Sequence, residues 1–195
     1  MANGSKEEEL KRYNKLYLTM LLRYKDYIEE EENLNVAQLP TLVTPEASAI
    51  VSFANNIKAQ YSNYSPEKNF LEAAKRAHSY VCDKIATVTL PIQFWLMPEE
   101  TLAAEAGDTL DKAILLCSVF IALGNITSKI IISMDDSNRK VGVYCEYGNK
   151  LLYFGLDCNV SEFETKEALL KSLGIEKGKD MTAYEFNDKM YVDLI

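Results

Sequence analysis

Residues Gly107, Asp108, Thr109, Leu110 and Asp111 open an apolar run with a helical pattern, which sets a threonine hydroxyl among acids at a helix start. The first N–H groups of a helix lack intrahelical partners, and the helix dipole favours negative charge there. Such a corner suits a nucleophile. An aliphatic hydroxyl, however, needs an adjacent strong base, commonly His or an N-terminal amine. The chain has one His, and Met1 lies far upstream in sequence. His78 falls in a helix-patterned stretch near Lys75 and Arg76. It is expected to be a surface or hydrogen-bonded helix residue, although His is the side chain best suited to proton transfer near neutral pH. The structural use of the same corner is simpler: Asp108 or Thr109 caps the open N–H groups, a contribution of about 1 kcal/mol. Capping is the favoured reading.

Cys82, Cys117, Cys145 and Cys158 are far apart and form no C-x-x-C pair. With one His beside them, a structural zinc site has too few well-spaced ligands. All four are expected to be reduced, partly buried, small apolar residues rather than a disulfide framework. Asp108, Asp111 and Asp157 are oxygen donors, but a Mg²⁺ site needs several such ligands at short distance. Neither a metal nor a cofactor is expected.

These residues need elements to position them. The residues at 10–28 place Leu10, Tyr13, Tyr17, Met20, Tyr24 and Tyr27 alternately three and four apart, with Leu16, Leu21 and Ile28 widening the stripe. This predicts one helix with a broad buried face. The width suits docking on the domain's own core, and Tyr hydroxyls would need partners at a dry seam. Self-pairing as a coiled coil is the alternative. After a connection containing Pro40, Thr44-Pro45 predicts a capped helix to about residue 60, and Ser65-Pro66 predicts another to about residue 85. Residues 87–93 read as irregular because Pro91 interrupts any helix. Residues 109–123 are apolar nearly all round, the mark of a central helix, and Gly124 closes it. Three strands follow at 126–134, 141–147 and 150–156, the last two joined through Gly148-Asn149. A helix is expected over 161–173, closed by Gly174, and two short strands over 184–195.

Trp95, Pro98, Glu100-Thr101-Leu102, Gly107-Asp108 and Asp111, then the apolar helix, a strand, a hairpin and Asp157, form an ordered frame. Over residues 68–160 it resembles the transglutaminase-like superfamily. The resemblance implies an α+β fold: a papain-like core with a central buried helix against an antiparallel sheet, here with N-terminal helices added. It also implies a catalytic Cys at the helix start after Gly-Asp, a His on a following strand and an Asp on the next. In this chain the Cys position is Thr109. The His position, counted back from the family's acidic residue at Glu146, is Gly142, and only Asp157 keeps its type. Cys117 lies two turns beyond Thr109, about 12 Å along the helix. Cys145 alternates to the strand face opposite Gly142, and Cys158 follows Asp157 directly. None of the three repairs the triad.

The 195 residues, 48% of them apolar, suffice for one substantial core. The division expected is a helical segment over 1–62 packed on a transglutaminase-like domain over 63–195. A net charge of −8 argues against a nucleic-acid surface, which rests on clustered Lys and Arg. No run of about 18 apolar residues exists, so no membrane span is expected. Residues 1–9 lack the apolar core of a secretory signal, so the expected location is cytoplasmic. The functional expectation is a catalytically inactive transglutaminase-like protein acting as a binding or scaffold module. A protein or peptide would lie in the vestigial cleft, touching Trp95, Asp108, Thr109 and Asp157. Two alternatives are a cysteine-independent hydrolase or acyltransferase using the same cleft, and an assembly subunit that forms a homo-oligomer through residues 10–28.

Overall fold

The computed structural model describes residues 3–31, 36–89, 91–92, 94–135, 139–176 and 181–195. Parts of the expected connection at 32–35, the end of the irregular stretch at Gln93 and the centre of the joint at 136–138 lie outside them. The chain divides into two units, Met1–Leu34 with Thr89–Trp95, and Asn35–Val88 with Leu96–Ile195. The helix after Pro45 buries Ile50, Ala54 and Ile57 within the larger unit.

The first unit carries α1 (Asn3–Arg23) and α2 (Lys25–Glu31). Tyr24 interrupts the helix only in part, since its N–H donates to Met20 O at 3.1 Å and its own carbonyl accepts from Ile28 N at 2.9 Å. Tyr13 stacks on Tyr17 with centroids 6.4 Å apart. The helix is where periodicity places it, but the stripe expected to be buried is open. Leu10, Tyr13, Tyr17, Met20 and Tyr24 are 48–59% exposed, and Ile28 is half-buried. Periodicity reports that a face is apolar and leaves open which surface covers it.

In the second unit a 3-10 turn, Val36–Leu42, leads to α3 (Ser48–Lys58). Pro45 stands in a turn rather than at the first helical position, and Ala47 is the N-cap without a side-chain bond. There follow α4 (Pro66–Lys84), β1 (Ala86–Thr87), α5 (Pro98–Ala104), β2 (Ala106–Gly107) and α6 (Thr109–Ala122). Then come β3 (Lys129–Met134), β4 (Arg139–Tyr147), β5 (Lys150–Gly155), β6 (Val160–Phe163), α7 (Lys166–Leu173), β7 (Thr182–Phe186) and β8 (Tyr191–Asp193). β1 and β2 form a short parallel pair, and the other six strands form one antiparallel sheet in the order β6-β5-β4-β3-β7-β8. The helix expected from residue 161 begins only at Lys166, with Thr165 accepting from Ala168 N as its cap. The residues before it pair with β5 as an edge strand. Val160 and Phe163 fit a pleated, half-buried surface better than a first helical turn.

The central helix is as expected. Every residue of α6 from Leu110 to Phe120 is buried. One face of the sheet meets it: Phe120 lies edge-on to Phe154 at 4.8 Å, with Phe70 of α4 behind at 5.6 Å. The opposite face meets α7, whose Leu169 and Leu173 pack with Ile131, Tyr144 and Ala183. Truncating a leucine of α6 to Ala would cost about 2–5 kcal/mol. Gly148 turns the β4–β5 hairpin with φ +62, which pairs Tyr147 with Lys150. That pairing fixes Gly142 opposite Gly155 and Tyr144 opposite Tyr153.

Candidate functional site

Asp108 is the N-cap of α6. Its Oδ1 accepts from Leu110 N at 2.7 Å and Asp111 N at 2.8 Å, and Asp111 Oδ2 accepts in return from Asp108 N at 2.8 Å. This is a reciprocal capping box built from two acids. Asp111 Oδ1 also accepts from Leu96 N at 3.2 Å, so the same carboxylate ties the segment before α5 to the helix start. Asp111 is 3% exposed, and burial pushes its pKa up to about 6 against a downward pull from its backbone donors. A Cβ at Gly107 would stand 2.9 Å from Asp111 Cβ, so glycine is what lets the carboxylate fold beneath the loop. Capping falls to Asp108, which leaves Thr109 as the first helical residue with its side chain free for the cavity it lines.

That cavity, about 680 Å³, is lined by Thr109, Arg139, Lys140, Val141, Tyr153, Leu156 and Asp157 together with β6 and the end of α7. Thr109 and Asp157 therefore line one cleft, and Gly142 is not among its lining residues. A Cβ at Gly142 would lie 2.5 Å from Cε2, Cζ and Oη of Tyr153, so the Tyr153 ring occupies the space that a side chain at 142 would need. Gly142 is in phase with Tyr144, on the sheet face covered by α7. The opposed Gly155 is overlain in the same way by the carboxylate of Asp157, whose Oδ1 would clash with any Cβ there. Two glycines paired across strands thus form a hollow filled by a phenol and a carboxylate. Burial, then the nearby Asp157 charge, pushes the Tyr153 hydroxyl up to about 12. The Asn159 amide donates to Asp157 Oδ2 at 2.8 Å and its backbone N–H to Oδ1 at 3.3 Å, which holds Asp157 below the usual carboxylate range.

His78 is buried at 4% exposure, with Nε2 2.8 Å from the carbonyl oxygen of Gly155 and its ring edge-on to Phe154. It is the hydrogen-bonded helix residue, not a surface one. Cys117 and Cys145 are free and buried, and burial raises both thiols, Cys145 to about 12 and Cys117 well above its ordinary value. Cys82 and Cys158 form a disulfide, which corrects the expectation of four reduced cysteines. Their separation of 76 residues is closed by the docking of α4 against the end of β5, a tertiary proximity that spacing does not report. A cystine belongs to an oxidising setting or to a redox-responsive protein, which removes one support for a cytoplasmic location. No helix among the described residues is long and apolar enough to cross a membrane. Trp95 belongs to the first unit, where it is half-buried. No group of three or more His, Cys, Asp or Glu able to hold a metal occurs among the described residues. Asp108 and Asp111 are occupied by backbone N–H groups instead.

One polar cluster escapes sequence reasoning. Glu185, 1% exposed, accepts from Tyr144 Oη at 2.7 Å, Lys166 Nζ at 2.8 Å and Lys129 Nζ at 3.1 Å. Burial pushes its pKa up, but these donors outweigh it and hold the carboxyl below its ordinary value. An acid between Tyr184 and Phe186 in an otherwise apolar strand is the one signal that could have marked it.

No protein-family model matches the chain, and no curated protein matches it. Among solved structures, calcium-bound LapG of Legionella pneumophila is similar over 74% of this chain and 87% of its own, with 14% identity and a TM-score of 0.48. The EGTA-treated form of the same protein gives 74%, 85%, 14% and 0.47. A Parabacteroides distasonis protein is similar over 66% of this chain and 30% of its own, with 15% identity and a TM-score of 0.40.

Proposed function

We propose that this chain is a catalytically silent transglutaminase-like module whose cleft binds a protein or peptide segment. The observation that carries the reading is that no His or Cys is among the residues lining the cavity with Thr109. His78 is held at Gly155 O, Cys82 and Cys158 are joined, and Cys117 and Cys145 are buried. Thr109 keeps a helix N-terminus that would stabilise an anion, but a hydroxyl without a base does not reach one near neutral pH. What remains is a cleft of about 680 Å³ with Arg139 and Lys140 on its wall, beside the edge strand β6. An extended segment fits such a place because an edge strand has one row of backbone groups not paired within the sheet. The test is amine incorporation into a glutamine-containing protein, run with amide hydrolysis, for wild type and Thr109→Ala. Both proteins are expected at background. Wild-type turnover lost in Thr109→Ala would favour the cysteine-independent hydrolase or acyltransferase instead.

A second reading rests on a separate observation, the exposed stripe of α1 and α2. The three-four alternation from Leu10 to Tyr27 is the seam spacing of a two-stranded coiled coil, so the occupant it fits is the same helix of a second copy. An assembly role and a silent cleft are compatible.

A further inference from the structure

The only imidazole of the chain stands beside its only cystine. His78 and Cys82 are four residues apart on α4, and Nε2 lies 3.7 Å from Cys82 Sγ as well as 2.8 Å from Gly155 O. A carbonyl oxygen can only accept, so Nε2 carries the proton and donates to that oxygen, with Cys82 Sγ 3.7 Å from the same nitrogen. The two halves of the cystine differ in access: Cys158 is exposed, in a turn closed by its own N–H to Gly155 O at 3.0 Å, whereas Cys82 is half-buried on the helix. The silent cleft explains neither the exposed Cys158 nor the imidazole next to its partner.

We propose that the Cys82–Cys158 cystine is a thiol-exchange site, attacked by a small thiol at Cys158 with Cys82 as the leaving sulfur, received by the His78 N–H. In the first step the external thiolate forms an S–S bond to Cys158 Sγ while the Cys82–Cys158 bond breaks, and the electron pair of that bond stays on Cys82 as a thiolate. A second thiol then attacks the external sulfur of the mixed disulfide, releases a small-molecule disulfide and leaves Cys158 as a thiolate. Protonation of the two protein thiolates balances the two thiols consumed. The cystine gains two electrons and the two small thiols lose them. Exchange runs fastest through the accessible sulfur and the better-stabilised leaving thiolate, and here both criteria select the same direction. His78 acts on the leaving sulfur directly in this scheme.

Opening the cystine has a consequence for the cleft wall. The turn from Gly155 to Cys158 carries Leu156 and Asp157 into the cavity and is tied to α4 by the cystine and by His78 at Gly155 O. Reduction leaves the second tie alone.

The test uses the full oxidised chain treated with glutathione, quenched with iodoacetamide and mapped by peptide mass. The expected result is a glutathione adduct on Cys158 with Cys82 alkylated, and Cys117 and Cys145 unmodified until the protein is unfolded. His78→Phe should slow adduct formation about tenfold, while His78→Gln, which keeps an N–H donor, should stay within about threefold of wild type. Amide hydrogen exchange at residues 156–159 should rise on reduction. An adduct on Cys82 or equally on both sulfurs would overturn the proposal, as would a rate indifferent to both His78 substitutions. So would four alkylatable thiols after incubation with oxidised glutathione. If His78→Phe does not fold, the position of the adduct in wild type still decides, because a merely structural His78 would not choose between the sulfurs.

Discussion

Gly142→Ala tests the filled hollow directly. The new Cβ would begin 2.5 Å from three atoms of the Tyr153 ring, whereas carbon atoms in contact sit at about 3.5–4.0 Å, so the ring must withdraw by about 1 Å or more. Tyr153 is not free to do so at no cost, because it packs on the cluster of Ile131, Tyr144, Leu169 and Leu173. Overpacking of this kind costs about 1–3 kcal/mol, and replacing a strand glycine returns about 0.5–1 kcal/mol. The net destabilisation should be about 0–2.5 kcal/mol, a fall of up to about 10 °C in melting temperature for a chain of this size. In a Tyr153→Ala background the same Gly142→Ala change should be neutral or stabilising. A double-mutant cycle by urea denaturation should therefore show a coupling of about 1–3 kcal/mol. Equal cost for Gly142→Ala in both backgrounds would refute the contact. It would also mean that residue 142 has room for a side chain.

Three further outcomes follow from the same geometry. Asp108→Ala removes the acceptor for Leu110 N and Asp111 N and should lower stability by about 1 kcal/mol, read from denaturant midpoints; no change would contradict its capping role. Asp111 has an ordinary pKa of 3.8 raised to about 6 in the fold, so the folded chain binds its proton more tightly. Its contribution should be fullest below about pH 4 and decline through pH 6, by on the order of 2–3 kcal/mol. Asp111→Asn should flatten that slope, and an unchanged profile would exclude the raised value. For the N-terminal helix, sedimentation at rising concentration should show an increase in mass for the full chain and none after deletion of residues 1–31. Identical behaviour of the two would contradict self-pairing.

What the sequence discloses follows from how local each cause is. The cap of α6 is legible because Asp108 and Asp111 act within one helical turn, and the central helix because it is apolar on every side. The hairpin at Gly148-Asn149 is legible too, and with it the register that opposes Gly142 to Gly155. The filled hollow was within reach of that register, since a tyrosine diagonal to two opposed glycines has room to lie across them. The cystine and the Glu185 cluster were not, because each joins elements whose contact depends on the packing of helices on the sheet. β6 was lost for the opposite reason: four residues next to a good helix former carry too little periodicity to separate strand from first turn.

If the cleft is silent as proposed, Thr109 is not an activated nucleophile, and acyl capture reads this out at the residue itself. Native protein would be mixed with excess p-nitrophenyl acetate near neutral pH, with the release of p-nitrophenolate followed on the stopped-flow timescale and the intact and peptide masses read at the end. The expected result is no burst and no acetyl on Thr109, with wild type and Thr109→Ala superimposable. A burst approaching one equivalent, with the acetyl group mapped to Thr109, would show that the hydroxyl is activated and that the cleft is an active site.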